Sequence, residues 1–272
     1  MSRYGPGYES GGVQFSFPTL TRAVKLLIIT NLAVQFLQLL LQGELAVWLG
    51  LSLLGFSNPP YLGPLNLFTY QFVHSWSGLG HVVFNMLALY FFGTMVEEHL
   101  GTRRFVRLYL ACGVAGGLLW LLMSAVTGQP QTRVIGASGC VYGMIAYAAF
   151  LFPYARVFIL IFPVRLWVVA TALAVFAVYD TIVDLRIGAS GVANSAHVGG
   201  MAFAAIWWRW GSLFSGLSRR LEAWRETRAR KQRLADEREL DRLLDKINQV
   251  GLGGLTAAER RWLTRHSKGR GS

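Results

Sequence analysis

Apolar residues along this chain arrive in long runs, and polar residues collect at the ends of those runs. Runs of about the length that crosses a bilayer extend from Ala23 to Leu41, Val82 to Val96, Phe105 to Val126, Ser138 to Leu151, Val157 to Val178 and Ala196 to Trp210. Six transmembrane helices are therefore expected. The second and fourth, headed by His81 and Ser138, are short, which predicts ends that tilt or sink below the lipid surface and line a wet cavity. In the first run Asn31, Gln35, Gln38 and Gln42 recur at helical spacing on one face, a pattern read as hydrogen bonding between helices of a bundle.

Composition agrees with that pattern. Of 272 residues 53% are hydrophobic and 15% charged, with a mean hydropathy of +0.40, which predicts an all-α, polytopic membrane protein. Residues 1–18 read as a disordered arm rich in Gly, Ser and Tyr, residues 19–213 as a six-helix domain, and residues 214–272 as a basic helical tail. No small-residue cleavage site follows Leu41, so the first run is expected to remain as a span. With the amino terminus inside, Arg22, Lys25, Arg103, Arg104, Arg107, Arg156, Arg165 and the tail are cytoplasmic, and only Arg133 and Arg186 fall in outer loops, as the positive-inside rule requires. Both termini are then cytoplasmic, and the helices headed by His81, Ser138 and His197 open to the outer side.

From Arg219 to Arg270 there are 15 Lys and Arg against 8 Asp and Glu. This tail is expected to form a helix over Arg225 to Leu244, a break at Gly251, Gly253 and Gly254, and a second short helix capped by Thr256 with Glu259 reaching back. The charge fits a solvated cytoplasmic face, with contact to anionic lipid as the next reading; nucleic acid is not an expected partner, since no recognised fold or aromatic platform accompanies it.

Candidate chemistry sits at the helix heads. Ser138 lies in Gly136-Ala137-Ser138-Gly139 and His197 in Ala196-His197-Val198-Gly199-Gly200; a serine and a histidine in hydrocarbon need a reason to be there. Serine becomes a useful nucleophile when a base accepts its proton, and His197 is the natural base. Ser138 opens a helix, whose free N–H groups and dipole can hold an oxyanion. Gly136 and Gly139 clear space for a substrate backbone, and Tyr142, one turn on, can pack on the imidazole. His81 and Asn85, spaced i and i+4, can both donate to an oxyanion. Zinc is the rival reading of clustered histidines, but no third ligand stands at a metal-binding spacing, and His74 and His99 fall in a loop and at the opposite side. No metal or cofactor is expected. Gly188-Ala189-Ser190-Gly191 repeats the same tetrapeptide, and Ser190 is read as part of a flexible loop. Cys112 and Cys140 are read as small buried packers without a disulfide.

In this order and combination, these elements resemble the rhomboid family of intramembrane serine proteases, over about Arg22 to Gly211. The resemblance implies a Ser138–His197 catalytic dyad, an oxyanion hole from His81, Asn85 and the Ser138 N–H, support of His197 by Tyr142, and a structural glutamate at Glu97. It implies cleavage of transmembrane protein substrates through an acyl-enzyme, and the tail segment Leu244 to Glu259 is similar to an extension on many bacterial members. Family members often carry Trp-Arg in the first outer loop; here Trp48 and Trp76 are followed by Leu49 and Ser77. An inactive client-binding relative would usually lack Ser or His, and a channel or transporter would show paired mid-membrane charges or an internal repeat. Asp180 and Asp184 are read as loop residues. Six spans without an added helix or targeting arm lead to the expectation of a bacterial inner membrane.

Overall fold

A computed structural model describes residues 18–57, 62–75, 78–159, 162–187 and 194–267. The expected arm, the repeat at Ser190, and Trp76 with Ser77 lie outside the described residues. The chain divides into two compact units, Met1–Arg209 and Trp210–Ser272.

The first unit is built from α1 (Arg22–Leu40), α2 (Leu79–Leu100), α3 (Thr102–Val126), α4 (Ser138–Leu151), a hairpin of β1 (Arg156–Ile159) and β2 (Phe162–Arg165), α5 (Leu166–Ile187) and the head of α6 (Asn194–Val250). Among the described residues α1, α2, α3 and α5 are long and apolar enough to cross a membrane; α4 is apolar and shorter. The protein is thus an all-α, multi-pass membrane protein. Its polarity is inverted relative to a water-soluble bundle. Asn31 and Gln38 are fully buried, whereas Phe36 is 62% and Phe84 73% exposed. Such surfaces are stable only against hydrocarbon.

Two expectations from the apolar runs are corrected. The helix headed near His81 is 22 residues long, from Leu79 to Leu100; it contains a π turn at Leu89–Gly93 and continues through the polar Glu97, Glu98 and His99. The fifth span begins at Leu166 instead of Val157. Arg156-Val157-Phe158-Ile159 is a strand, with β-branched and aromatic residues that favour one, and Pro163 denies a helix its next N–H but is tolerated in a two-stranded edge. The hairpin is closed by Leu166 N–H donating to Ala155 O at 2.8 Å. Displacing α5 toward the carboxyl terminus draws Asp180 and Asp184, expected in a loop, into the helix.

Glu97 ties three segments together. Its carboxylate accepts hydrogen bonds from Thr21 Oγ1 (2.6 Å), Ala23 N (3.0 Å), Val24 N (2.9 Å) and Thr102 Oγ1 (2.7 Å). The head of α1 lacks a cap from Thr21 itself, so Glu97 supplies it from another helix, satisfying orphan N–H groups and complementing the dipole. On α1, Gln35 Nε2 donates to Ser75 O at 3.1 Å while Asn31 Nδ2 bonds back to Leu27 O. Gln42 does not join this face, because α1 ends at Leu40 and Gln42 turns to a φ of 50°.

The long α1–α2 connection folds into short helical turns, in part over Glu44–Leu49, Leu53–Ser57 and Asn66–Thr69. Asn66 Nδ2 and Thr69 Oγ1 donate to the carbonyls of Trp48 and Leu49, each at 2.8 Å. An antiparallel bridge between Leu51 and Val134 fastens this connection to the segment entering α4.

In the second unit α6 runs to Val250, Gly251 takes a φ of 73°, and α7 spans Ala257–Ser267. Leu243 and Leu255 are buried, and Glu259 accepts from Thr256 N (2.8 Å) and lies 2.9 Å from Lys246 Nζ and 3.2 Å from Arg242. Glu259 N–H returns a bond to Thr256 Oγ1 at 3.3 Å, completing the expected capping box.

Two outcomes follow from these contacts. Glu97→Gln places an amide N–H₂ against donors and should cost about 2–3 kcal/mol, read as a lower midpoint in thermal unfolding of detergent-solubilised protein. The Thr256 N–H, then Lys246, hold the Glu259 carboxyl down to about 2 from 4.5. A depressed pKa adds stability above pH 4.5 that is lost as pH falls toward 2. Normalised hydrogen exchange at residues 257–263 in the full chain should therefore accelerate between pH 5 and pH 2.5, and Glu259→Gln should remove that dependence.

Candidate active site

The loop entering α4 is drawn into a tight turn before Ser138. Gly136 adopts a φ of 121°, a backbone state that side chains resist, and its N–H donates to Tyr70 O at 2.9 Å. Ser138 is the first residue of α4, so its N–H lies in the turn whose donors have no carbonyl four residues back.

His197, on the first turn of α6, reaches Ser138 directly: Nε2 lies 2.8 Å from Oγ. His197 is buried, and its Nδ1 has no hydrogen-bond partner among the described residues. Donation from the serine hydroxyl to Nε2 puts the ring proton on Nδ1, the arrangement in which Nε2 is free to take a proton. Tyr142 stacks on the imidazole with ring centroids 4.0 Å apart and planes 11° from parallel. This fixes the ring plane without a carboxylate.

His81 flanks the same turn. A Cβ on Gly136 would stand 2.9 Å from His81 Nε2 and 3.8 Å from Ser138 Oγ, so the imidazole edge and the hydroxyl border one small space that only glycine leaves open. Asn85 is buried one turn along α2, where Nδ2 donates to His81 O at 2.8 Å. That bond uses one of its two N–H groups and steadies the helix backbone beneath His81. Gly139 serves packing: a Cβ there would meet Ala196 O at 3.2 Å.

Small residues set these distances. A Cβ on Gly200 would collide with the backbone of Gly139, one on Gly199 would stand 2.7 Å from Ala115 O, and one on Gly143 would stand 2.6 Å from Cys112 Sγ. Gly200 thus meets α4, while Gly199 meets α3. The head of α6 wedges between both helices.

Three features were missed in the sequence. His74, expected as an ordinary loop residue, is fully buried; its Nε2 accepts the Ala137 N–H at 3.3 Å, and its ring packs edge-on to His81 at 5.1 Å. Gln71 accepts from Cys140 Sγ at 3.2 Å, and Tyr70 OH donates to Gly113 O at 2.6 Å. Asp180 accepts from Asn194 Nδ2 at 3.2 Å, joining α5 to the first residue of α6. Periodicity carries no signal for such contacts, because each partner lies on a separate segment.

A family model described as Rhomboid domain matches residues 63–212, and one for a family of unknown function (DUF6576) matches residues 226–269. The chain is similar to "RHOMBOID-like protein 12, mitochondrial" of Arabidopsis thaliana, 34% identical over 143 residues, covering 48% of this chain and 42% of the relative. It is similar to "Rhomboid protein 1, mitochondrial" of Saccharomyces cerevisiae, 34% identical over 132 residues, covering 47% of this chain and 36% of the relative. It is also similar to "Rhomboid protease GluP" of Bacillus subtilis, 28% identical over 124 residues, covering 46% and 22%. The matched region is less than half the length of each of these relatives.

Replacing His74 tests its bond to the turn. His74→Ala leaves the buried Ala137 N–H unpaired and should cost about 1–3 kcal/mol, read as a lower thermal midpoint. His74→Gln, whose amide oxygen can accept the same bond, should recover much of the loss.

Proposed function

The chain belongs to the rhomboid family, and on that premise we propose that it is an intramembrane serine endopeptidase acting through a Ser138–His197 dyad. The observation that carries this reading is the 2.8 Å contact between Ser138 Oγ and His197 Nε2, in a site braced by Tyr142 and bordered by His81.

His197 takes the hydroxyl proton as Ser138 Oγ attacks a peptide carbonyl of a transmembrane substrate. The resulting oxyanion is held by His81, Asn85 and the Ser138 N–H, each such donor being worth about 3 kcal/mol in the transition state. The tetrahedral adduct collapses, His197 returns the proton to the leaving amine, and water activated by the same imidazole hydrolyses the acyl-enzyme. Gly136 and Gly139 leave room for the substrate backbone. Substrates with small residues at the cut and helix-destabilising residues nearby fit best, because a helix must unwind before its carbonyls can be attacked.

In the same reading residues 19–213 form the protease domain, with α4 and the head of α6 completing six spans. Both termini are cytoplasmic, the site faces the outer side, and residues 214–272 form a cytoplasmic tail able to touch anionic lipid. Two of the three relatives named above are called mitochondrial and one is from Bacillus subtilis. The expected bacterial inner membrane draws no support from these similarities; multi-pass membrane insertion stands without it.

Purified protein in lipid, given a single-span substrate and a fluorophosphonate probe, tests the reading. Ser138→Ala should abolish labelling and cleavage, His197→Ala should lower both by about 10³-fold or more, and Ser190→Ala should leave them unchanged. Equal cleavage and labelling by wild type and Ser138→Ala would sink the proposal.

A further inference from the structure

The β1–β2 hairpin has a surface that the proteolytic chemistry does not use. Its register sets Arg156 opposite Arg165 and Phe158 opposite Pro163; with side chains alternating along each strand, these four share one face. All four are exposed, while Val157, on the other face, packs against the helical core. Like charges directly opposite destabilise a ladder. Among the described residues neither arginine forms an ion pair with a carboxylate. Arg165 is steadied by the Tyr154 ring, 5.7 Å from its guanidinium carbon to the centroid.

The end of the bundle that carries the hairpin is also distinctive. Glu97 binds the head of α1, Gly101 joins α2 to α3, and His99 contacts Phe152 at the end of α4. Exposed Arg22, Lys25, Arg103, Arg104 and Arg107 therefore share an end with the hairpin, where Glu97 is buried and Glu98 is exposed. Tyr154 (74% exposed) lies under Arg165, Phe158 (49%) shares the arginine face, and exposed Trp167 follows β2 by two residues. Leu166, the residue after β2, begins a span, so these rings stand at the depth where lipid hydrocarbon gives way to headgroups.

We propose that the β1–β2 hairpin is a binding site for an anionic glycerophospholipid, with Arg156 and Arg165 sharing its phosphate and the exposed Tyr154 and Phe158 rings taking the start of its acyl chains. Each guanidinium fork can donate paired hydrogen bonds to phosphate oxygens, and a bound phosphate removes the like-charge repulsion in the hairpin. A choline headgroup would bring a cation into an already cationic belt, so phosphatidylglycerol is favoured over phosphatidylcholine. The exposed Tyr154 and Phe158 rings favour a lipid over free phosphate. This inference rests on membrane insertion alone and stands apart from the proteolytic reading.

Native mass spectrometry of the full chain in non-ionic detergent, titrated with phosphatidylglycerol or phosphatidylcholine, tests it. At about 1 kcal/mol per arginine, R156Q/R165Q should weaken phosphatidylglycerol binding about 30-fold and leave phosphatidylcholine binding unchanged. R156K/R165K, which keeps the charge, should bind more weakly than wild type and more tightly than R156Q/R165Q, and R186Q, at the far end of α5 from the hairpin, should change affinity less than threefold. The proposal is overturned if R156Q/R165Q binds phosphatidylglycerol within threefold of wild type, if it loses both lipids alike, or if R156K/R165K is as weak as R156Q/R165Q. Competition by glycerol phosphate as effective as that by the lipid overturns it in favour of a free-phosphate site.

Discussion

Backbone-to-backbone approach of α6 to α3 and α4 is the constraint on which the first unit depends. Gly116, Gly139, Gly143, Gly199 and Gly200 line that contact, and at each a Cβ would press on backbone or on a buried sulfur. Lipid offers no hydrophobic drive for helices to associate, so close van der Waals contact between small residues must supply much of the attraction. The same closeness sets the 2.8 Å separation of Ser138 Oγ and His197 Nε2. A larger residue at Gly200 would lift α6 from α4 and take the histidine with it. Packing and chemistry are here one geometric requirement.

Around that contact, polar groups are spent on holding segments that apolar packing cannot position. Glu97 caps a helix other than its own. Asn66 and Thr69 pin the carbonyls of Trp48 and Leu49, which gives the first connection its form where the family's frequent Trp-Arg pair is absent. Tyr70 O and His74 accept the Gly136 and Ala137 N–H groups, so the turn before Ser138 is held from the α1–α2 connection. Each bond matters more in a lipid setting, because water cannot replace a lost partner. The site is thus a turn held rigid from behind and open on the side where His81 and Ser138 border Gly136.

Much of the helical order was legible in advance. Apolar runs placed α1, α3 and α4 closely, since a span must hide its backbone polar groups and needs a minimum length of apolar side chains to do so. The runs misled where two periodicities overlap. Val157 to Val178 is apolar throughout, and only Pro163 and the β-branched and aromatic strand residues separate a hairpin from the helix that follows. At α2 the helix extends past its most apolar stretch at both ends, into polar residues that the run did not include. Asp180 and Asp184 were misplaced for the same reason as the start of α5, an error of register carried along the helix.

The sequence by itself determined which groups stand at helix heads: Ser138 after a glycine turn, His81 and Asn85 on one face, Tyr142 one turn beyond Ser138. These are local facts of spacing, and a helix converts spacing into a shared face without outside help. Only the tertiary structure decided that His197 lies against Ser138, that His74 stands behind the turn, and that Gly199 and Gly200 meet different helices. Those contacts join residues far apart in the chain, and their distances depend on how closely whole helices approach. That approach is a property of several glycines acting together.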